Sequence, residues 1–196
     1  MRQLIRRLEY PILLALFLTG ATYLLKMAYL PLVPCTLAGA AWLLAVYLYV
    51  RGRYQIKLPP VLVALVFCAV EVDALGNHWQ MYGRAFGPLQ YDEFAHMTVQ
   101  AFVAPMLVWL LARALAYFGL RLPLALVTVF ALTLSFSLSA FYEIIELWDE
   151  LYFNGRRIWG PHDTPNDLQW DLLGLVIGSC LAYALLRRAE RRALLT

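Results

Sequence analysis

The sequence predicts an all-α fold: a polytopic membrane protein, a single integral membrane domain over residues 1–196 built as a six-transmembrane-helix bundle. Three observations carry this expectation. Of 196 residues, 62% are hydrophobic and 15% charged, where a soluble domain carries about 25% charged residues. The mean hydropathy is +0.65. The apolar residues also fall in long blocks, each near or above the ~20 residues needed to cross a bilayer. The formal net charge of +3 is modest, and its basic residues sit in loops and tails. They are read as orientation signals and not as a nucleic-acid-binding surface.

Helix one is placed at Tyr10–Ala28, after M-R-Q-L-I-R-R. That start resembles a signal peptide, but no small-x-small cleavage site follows, so it is read as an uncleaved span. Lys26 must snorkel from its end. Helix two covers Leu32–Val50, helix three Leu58–Trp79, helix four Tyr91–Tyr117, helix five Leu122–Tyr152 and helix six Leu168–Leu186. Pro31, Pro34, Pro59, Pro60 and Pro123 sit at span starts, where a missing N–H costs little. Pro105 falls inside helix four and is expected to kink it. Cys35, Cys68 and Cys180 lie in apolar blocks without a C-x-x-C spacing, so they are read as small hydrophobes. Gly174 and Gly178 form G-x-x-x-G in helix six, which predicts close helix packing. No internal repeat, low-complexity tract or linker is evident.

With the N-terminus inside, Arg2, Arg6, Arg7, Arg51, Arg53, Lys57, Arg113, Arg121, Arg187, Arg188, Arg191 and Arg192 lie on the inner side. Only Lys26, Arg84, Arg156 and Arg157 lie outside. This positive-inside bias places both termini in the cytoplasm of a bacterial inner membrane. On that topology every acidic residue except Glu9 and Glu190 maps to the outer half, as do His78, His96 and His162.

The acidic side chains recur at helical spacings. Asp92, His96 and Gln100 form a stripe descending helix four. Glu143 and Glu146 stand as E-x-x-E on helix five, with Glu150 one turn on. Asp167 and Asp171 open helix six, where Asp167 is expected to cap. Glu71 lies roughly two-thirds of the way across helix three at ~1.5 Å per residue, with His78 two turns further out. So many carboxylates in a partly dry site need protonation, arginine or a cation. The outer arginines, few and in loops, are set aside. A divalent metal (Zn, Mn or Fe) is the expected counter-charge. Asp92, His96, Glu143, Glu146 and Asp171 are its expected ligands, His78 and Gln100 support them, and Glu71 or Asp167 is the general base. Glu93, Asp149 and Asp163 are read as solvated, Asp73 as a surface group or an Asn77 partner, and His162 as a loop residue. Trp79, Tyr82, Tyr91, Trp148, Tyr152, Trp159 and Trp170 are read as an interfacial aromatic belt.

Y-D-E-F-A-H (Tyr91–His96), S-A-F-Y-E-I-I-E (Ser139–Glu146) and D-L-Q-W-D (Asp167–Asp171) resemble, in the same order, three motifs of the YjdF-like family of bacterial inner-membrane proteins. The resemblance covers roughly the C-terminal half. It implies that Asp92, His96, Glu143, Glu146, Asp167 and Asp171 are the family's polar positions, and it supplies no reaction. Pro165, Asn166 and Leu168 depart from the family's usual Trp or Thr near Q-W-D.

Three functions fit. The first is a metal-dependent hydrolase or transferase acting on a lipid or lipid-linked substrate from the outer side; no G-x-S-x-G elbow is present to suggest a serine enzyme. The second is a cation or proton transporter, disfavoured because the inner halves of helices three to six are almost wholly apolar. The third is a non-catalytic membrane subunit.

Overall fold

The computed structural model describes residues 9–155, 157, 158 and 160–193, the last four by backbone alone. Arg2, Arg6, Arg7, Arg156 and Trp159 lie outside the described residues, as do the side chains of Glu190, Arg191 and Arg192. Among the described residues the helices are α1 (Glu9–Lys26), α2 (Leu32–Tyr54), α3 (Pro60–His78), α4 (Tyr91–Tyr117), α5 (Leu124–Phe153) and α6 (Asp163–Ala193). All six are long and apolar enough to cross a membrane. The chain forms two compact units, residues 1–83 and 84–196.

In the first unit, α1 and α2 are joined by a 3₁₀ turn, Met27–Tyr29. Pro31 stands at the N-cap of α2 with φ −57°, and Pro59 and Pro60 open α3. These prolines lack an N–H where a helix needs none. Lys26 ends α1 and lays its ammonium 5.7 Å from the Tyr29 ring centroid, which satisfies the charge at that end. Small residues let the helices approach. A Cβ on Gly20 would stand 2.7 Å from the Trp42 ring, and one on Gly39 would stand 2.8 Å from the Tyr23 hydroxyl. Met27, Cys35 and Ala74 form the core between them. Arg53 and Glu9 pair at 2.8 Å, tying the end of α2 to the start of α1. α2 runs four residues past the expected Val50. Arg51 and Arg53 complement its C-terminal dipole, and Gln55 closes it in the left-handed conformation (φ 59°).

The second unit opens with a hairpin absent from the sequence expectation: β1 (Ala85–Phe86) and β2 (Leu89–Gln90), with Ala85 opposite Gln90. Gly87, at φ +65°, takes the first turn position that Gly-Pro favours. Gln90 then caps α4, its side chain accepting from the backbone of Glu93 while Glu93 Oε2 accepts from Gln90 N at 2.9 Å. Glu93, expected to be solvated, is thus half of a capping box. Pro105 is buried within α4, which stays continuous around it. α6 begins at Asp163, five residues before the expected Leu168. Pro165 falls in its first turn, where the lost N–H is harmless, so P-N-D continues as helix. Asp167 is therefore an interior residue of α6 and not its cap.

α4 and α6 pack most closely. A Cβ on Gly174 would collide with the Met97 carbonyl, 2.9 Å from its carbon, and one on Gly178 would stand 2.9 Å from Ala104 Cβ. Below this contact, Val108, Ala131 and Ala182 close a dry core with Leu111 and Leu186. Outward faces are large and apolar, as at Phe130, Leu138 and Leu181; such surface belongs against lipid.

We expect Gly174→Ala and Gly178→Ala each to lower stability by about 1–3 kcal/mol. Gly160→Ala, with nothing within 4 Å of its Cβ, serves as the control. Denaturant titration in detergent measures this; equal curves for Gly174→Ala and Gly160→Ala would refute the packing account.

Candidate metal centre

Three helix ends meet at one end of the second unit. Asp92, His96 and Gln100 lie along the first turns of α4, Asp167 and Asp171 on the first turns of α6, and Ser139, Glu143 and Glu146 toward the C-terminal end of α5. Spacings of three and four residues keep each set on one helix face. Glu143, Asp167 and Asp171 are 3%, 2% and 1% exposed, so their carboxylates have little water to solvate them.

His96 is the hub. Its Nδ1 lies 2.9 Å from Asp171 Oδ1. The other oxygen of Asp171 accepts a short hydrogen bond from the Ser139 hydroxyl, and Gln100 Nε2 donates to Ser139 Oγ at 3.3 Å. A chain of side chains thus runs Gln100–Ser139–Asp171–His96. On the opposite edge of the ring, Nε2 stands 3.7 Å from Asp92 Oδ1 and 3.8 Å from Asp167 Oδ2. These separations exceed the ~2.7–3.2 Å of an N–H···O bond. Two ligands each ~2.0–2.1 Å from a common ion stand ~3.4 Å apart at the tetrahedral angle. Each carboxylate oxygen lies close to that separation from Nε2.

Two oxygens are left over. Asp167 Oδ1 and Glu143 Oε1 are buried with no hydrogen-bond partner, although Thr164 hydrogen-bonds Glu143. Buried carboxylate oxygens are normally satisfied. Two groupings bring ligand atoms within 4.8 Å of one another: Asp92, His96 and Asp167, and His96, Glu143 and Asp171. Both include His96, and the first uses its Nε2 edge.

Glu146 belongs to neither grouping. It pairs with Arg157 at 3.4 Å, and Arg157 also reaches Asp149 at 3.2 Å and the Tyr142 hydroxyl at 3.1 Å. Glu146, expected as a metal ligand, faces an arginine, and Asp149, expected to be solvated, shares it. The cause is local. Asn154 ends α5 in the left-handed conformation (φ 56°), and Gly155 N bonds back to Asp149 O at 3.0 Å. The reversal folds Arg157 onto the carboxylates eight and eleven residues earlier. Burial alone disfavours the guanidinium charge, and Tyr142, Glu146 and Asp149 outweigh that, so its pKa is raised.

Glu71 and His78 belong to the first unit. Glu71 Oε2 accepts from Thr36 Oγ1 at 2.9 Å, and its Oε1 is buried without a partner. His78 is exposed at the end of α3. Asp73 accepts from Asn77 Nδ2 at 3.0 Å, and the Tyr82 hydroxyl donates to the same oxygen. Gln100, expected to support the ligands, contacts Ser139. Ser139, Thr164 and Arg157 were missed. Ser139 lies four residues before Glu143, a spacing that marks it as facing the same way, and Asn-Gly at 154–155 signals the reversal that returns Arg157.

A family model described as predicted membrane protein (DUF2238) matches residues 10–192, and the chain belongs to that family, the YjdF-like proteins. No curated protein and no solved structure matches it.

Replacing Arg157 with Ala leaves Glu146 and Asp149 without their cation, and we expect a cost of about 1–3 kcal/mol. Adding Glu146→Gln should recover part of it, with a coupling of about 0.5–3 kcal/mol in a double-mutant cycle. Strictly additive effects on thermal unfolding in detergent would show that the pair is not coupled.

Proposed function

We propose that this DUF2238 protein holds a divalent cation between Asp92, His96 and Asp167, and that the site serves hydrolysis or group transfer on a lipid or lipid-linked ester or phosphoester. The observation that carries the reading is the environment of His96 Nε2. Two carboxylate oxygens face it at distances too long for hydrogen bonds, and Asp167 has a second oxygen with no partner. The Nδ1 contact with Asp171 supports the tautomer in which Nε2 carries a lone pair. A nitrogen and two carboxylates suit Zn, Mn or Fe.

A divalent ion there would supply Lewis acidity and lower the pKa of a bound water. The chain's own contribution is to accept a proton from the nucleophile. Near His96, Glu143 Oε1 and Asp167 Oδ1 are buried without a partner, and Glu143 lies outside the proposed ligand set. Glu143 therefore takes the general-base role that the sequence suggested for Glu71 or Asp167.

The arginine and lysine distribution supports a site on the outer side of a bacterial inner membrane, with both termini cytoplasmic. The dry core of Val108, Ala131 and Ala182 supports a one-sided pocket over a conduit for cations or protons. A lipid-type substrate follows from the location, since the ligands lie on segments fit to span the bilayer.

Metal analysis tests the reading. Wild-type protein purified in detergent, loaded with zinc or manganese and desalted, should retain a near-stoichiometric ion. His96→Ala and Asp167→Asn should lose it, and Glu146→Gln should keep it. Wild type carrying no more metal than His96→Ala would overturn the proposal and leave a protonated imidazole shared among three aspartates as the account of the cluster. In proteoliposomes, chelator-reversible cleavage of a lipid phosphoester would support the enzyme, and cation flux without cleavage would replace it with a transporter.

A further inference from the structure

Ser139 was not singled out by charge or motif chemistry, yet it occupies the turning point of the site. It is 6% exposed on α5. Its hydroxyl donates to Asp171 Oδ2 and accepts from Gln100 Nε2 at 3.3 Å. The remaining oxygen of Asp171 faces His96 Nδ1 at 2.9 Å. Asp171 is acceptor-only when ionised, so its partner on the ring side must be an N–H.

The three residues come from three helices: Gln100 from α4, Ser139 from α5 and Asp171 from α6. Free imidazole distributes its proton between two nitrogens, and only the Nδ1–H form leaves the Nε2 lone pair free for a cation beside Asp92 and Asp167. Resting on the metal reading above, we propose that Ser139, held by Gln100, is a positioning residue: it orients Asp171, which keeps the His96 proton on Nδ1 and leaves Nε2 free to bind the cation. Residues that fix the orientation of a ligating histidine typically change metal affinity ~10–100-fold, and Ser139 acts in this way through Asp171.

Two readouts on the full-length protein in detergent test this. The first needs no metal: in chelator-treated protein with ¹⁵N-histidine, taken to a pH at which the ring is neutral, long-range proton–nitrogen spectra report which His96 nitrogen carries hydrogen. Wild type should show Nδ1–H, and Ser139→Ala should show a mixture. The second is zinc competition against a chelating dye. Ser139→Ala should bind ~10–100-fold more weakly, Gln100→Leu should shift affinity the same way by less, and Ser139→Thr, which keeps the hydroxyl, should restore affinity. Wild-type affinity in Ser139→Ala, or an unchanged His96 spectrum, overturns the inference. If wild type binds no zinc, the metal reading fails, and the spectrum alone decides whether Ser139 sets the tautomer.

Discussion

The second unit depends on how closely α4 and α6 approach. In a bilayer, lipid tails are as apolar as leucine, so helices gain little from burying hydrocarbon against one another. They associate through close backbone contact, for which glycine leaves room. Gly174 and Gly178 provide it, meeting the backbone at Met97 and Ala101. Met97 follows His96, and Ala101 follows Gln100. Asp171 is one turn before Gly174. The tightest contact between the helices thus flanks the His96–Asp171 pair, and the geometry of the polar cluster is inherited from the contact beneath it.

Above that contact, the chain compensates its carboxylates one by one. Glu93 caps the helix that carries it. Glu146 and Asp149 take Arg157. Asp171 takes Ser139 and one edge of His96. In the first unit, Glu71 takes Thr36 on one oxygen. With these assignments made, the unmatched oxygens near His96 are those of Asp167 and Glu143. The negative charge to be explained is therefore smaller than a count of acidic residues suggests, and it is concentrated around one imidazole.

The fold was legible because its signals are long. Six apolar blocks, prolines at their starts and a G-x-x-x-G pair each survive errors of a few residues. The gathering of Asp92, His96, Glu143, Asp167 and Asp171 was legible from helical spacing together with the crowding of acidic residues toward one side. What the sequence concealed depended on short segments. Arg157 was discounted as a loop residue, because a left-handed Asn154 that reverses the chain leaves little trace in composition. Pro165 read as a loop marker when it is a first-turn proline. Ser139 was invisible to a reading that weighed charge, since its importance comes from the carboxylate it touches. Spacing also places Glu143 and Asp167 on neighbouring faces without saying that Asp167 Oδ2 stands 3.8 Å from His96 Nε2.

The 30 residues of α5 carry one more consequence. At ~1.5 Å per residue the helix is ~45 Å long, against a hydrocarbon thickness of ~30 Å. Absorbing the excess by tilt alone would need close to 50°, beyond the ~0–40° that spanning helices adopt. The helix accordingly outruns the hydrocarbon, and Trp148 and Tyr152 near its last turns, 47% and 72% exposed, are amphipathic rings of the kind that favour the headgroup layer. Glu143 sits ten residues before that tip. If that end of the helix is the one that emerges, the buried carboxylates lie within a few turns of the lipid phosphates.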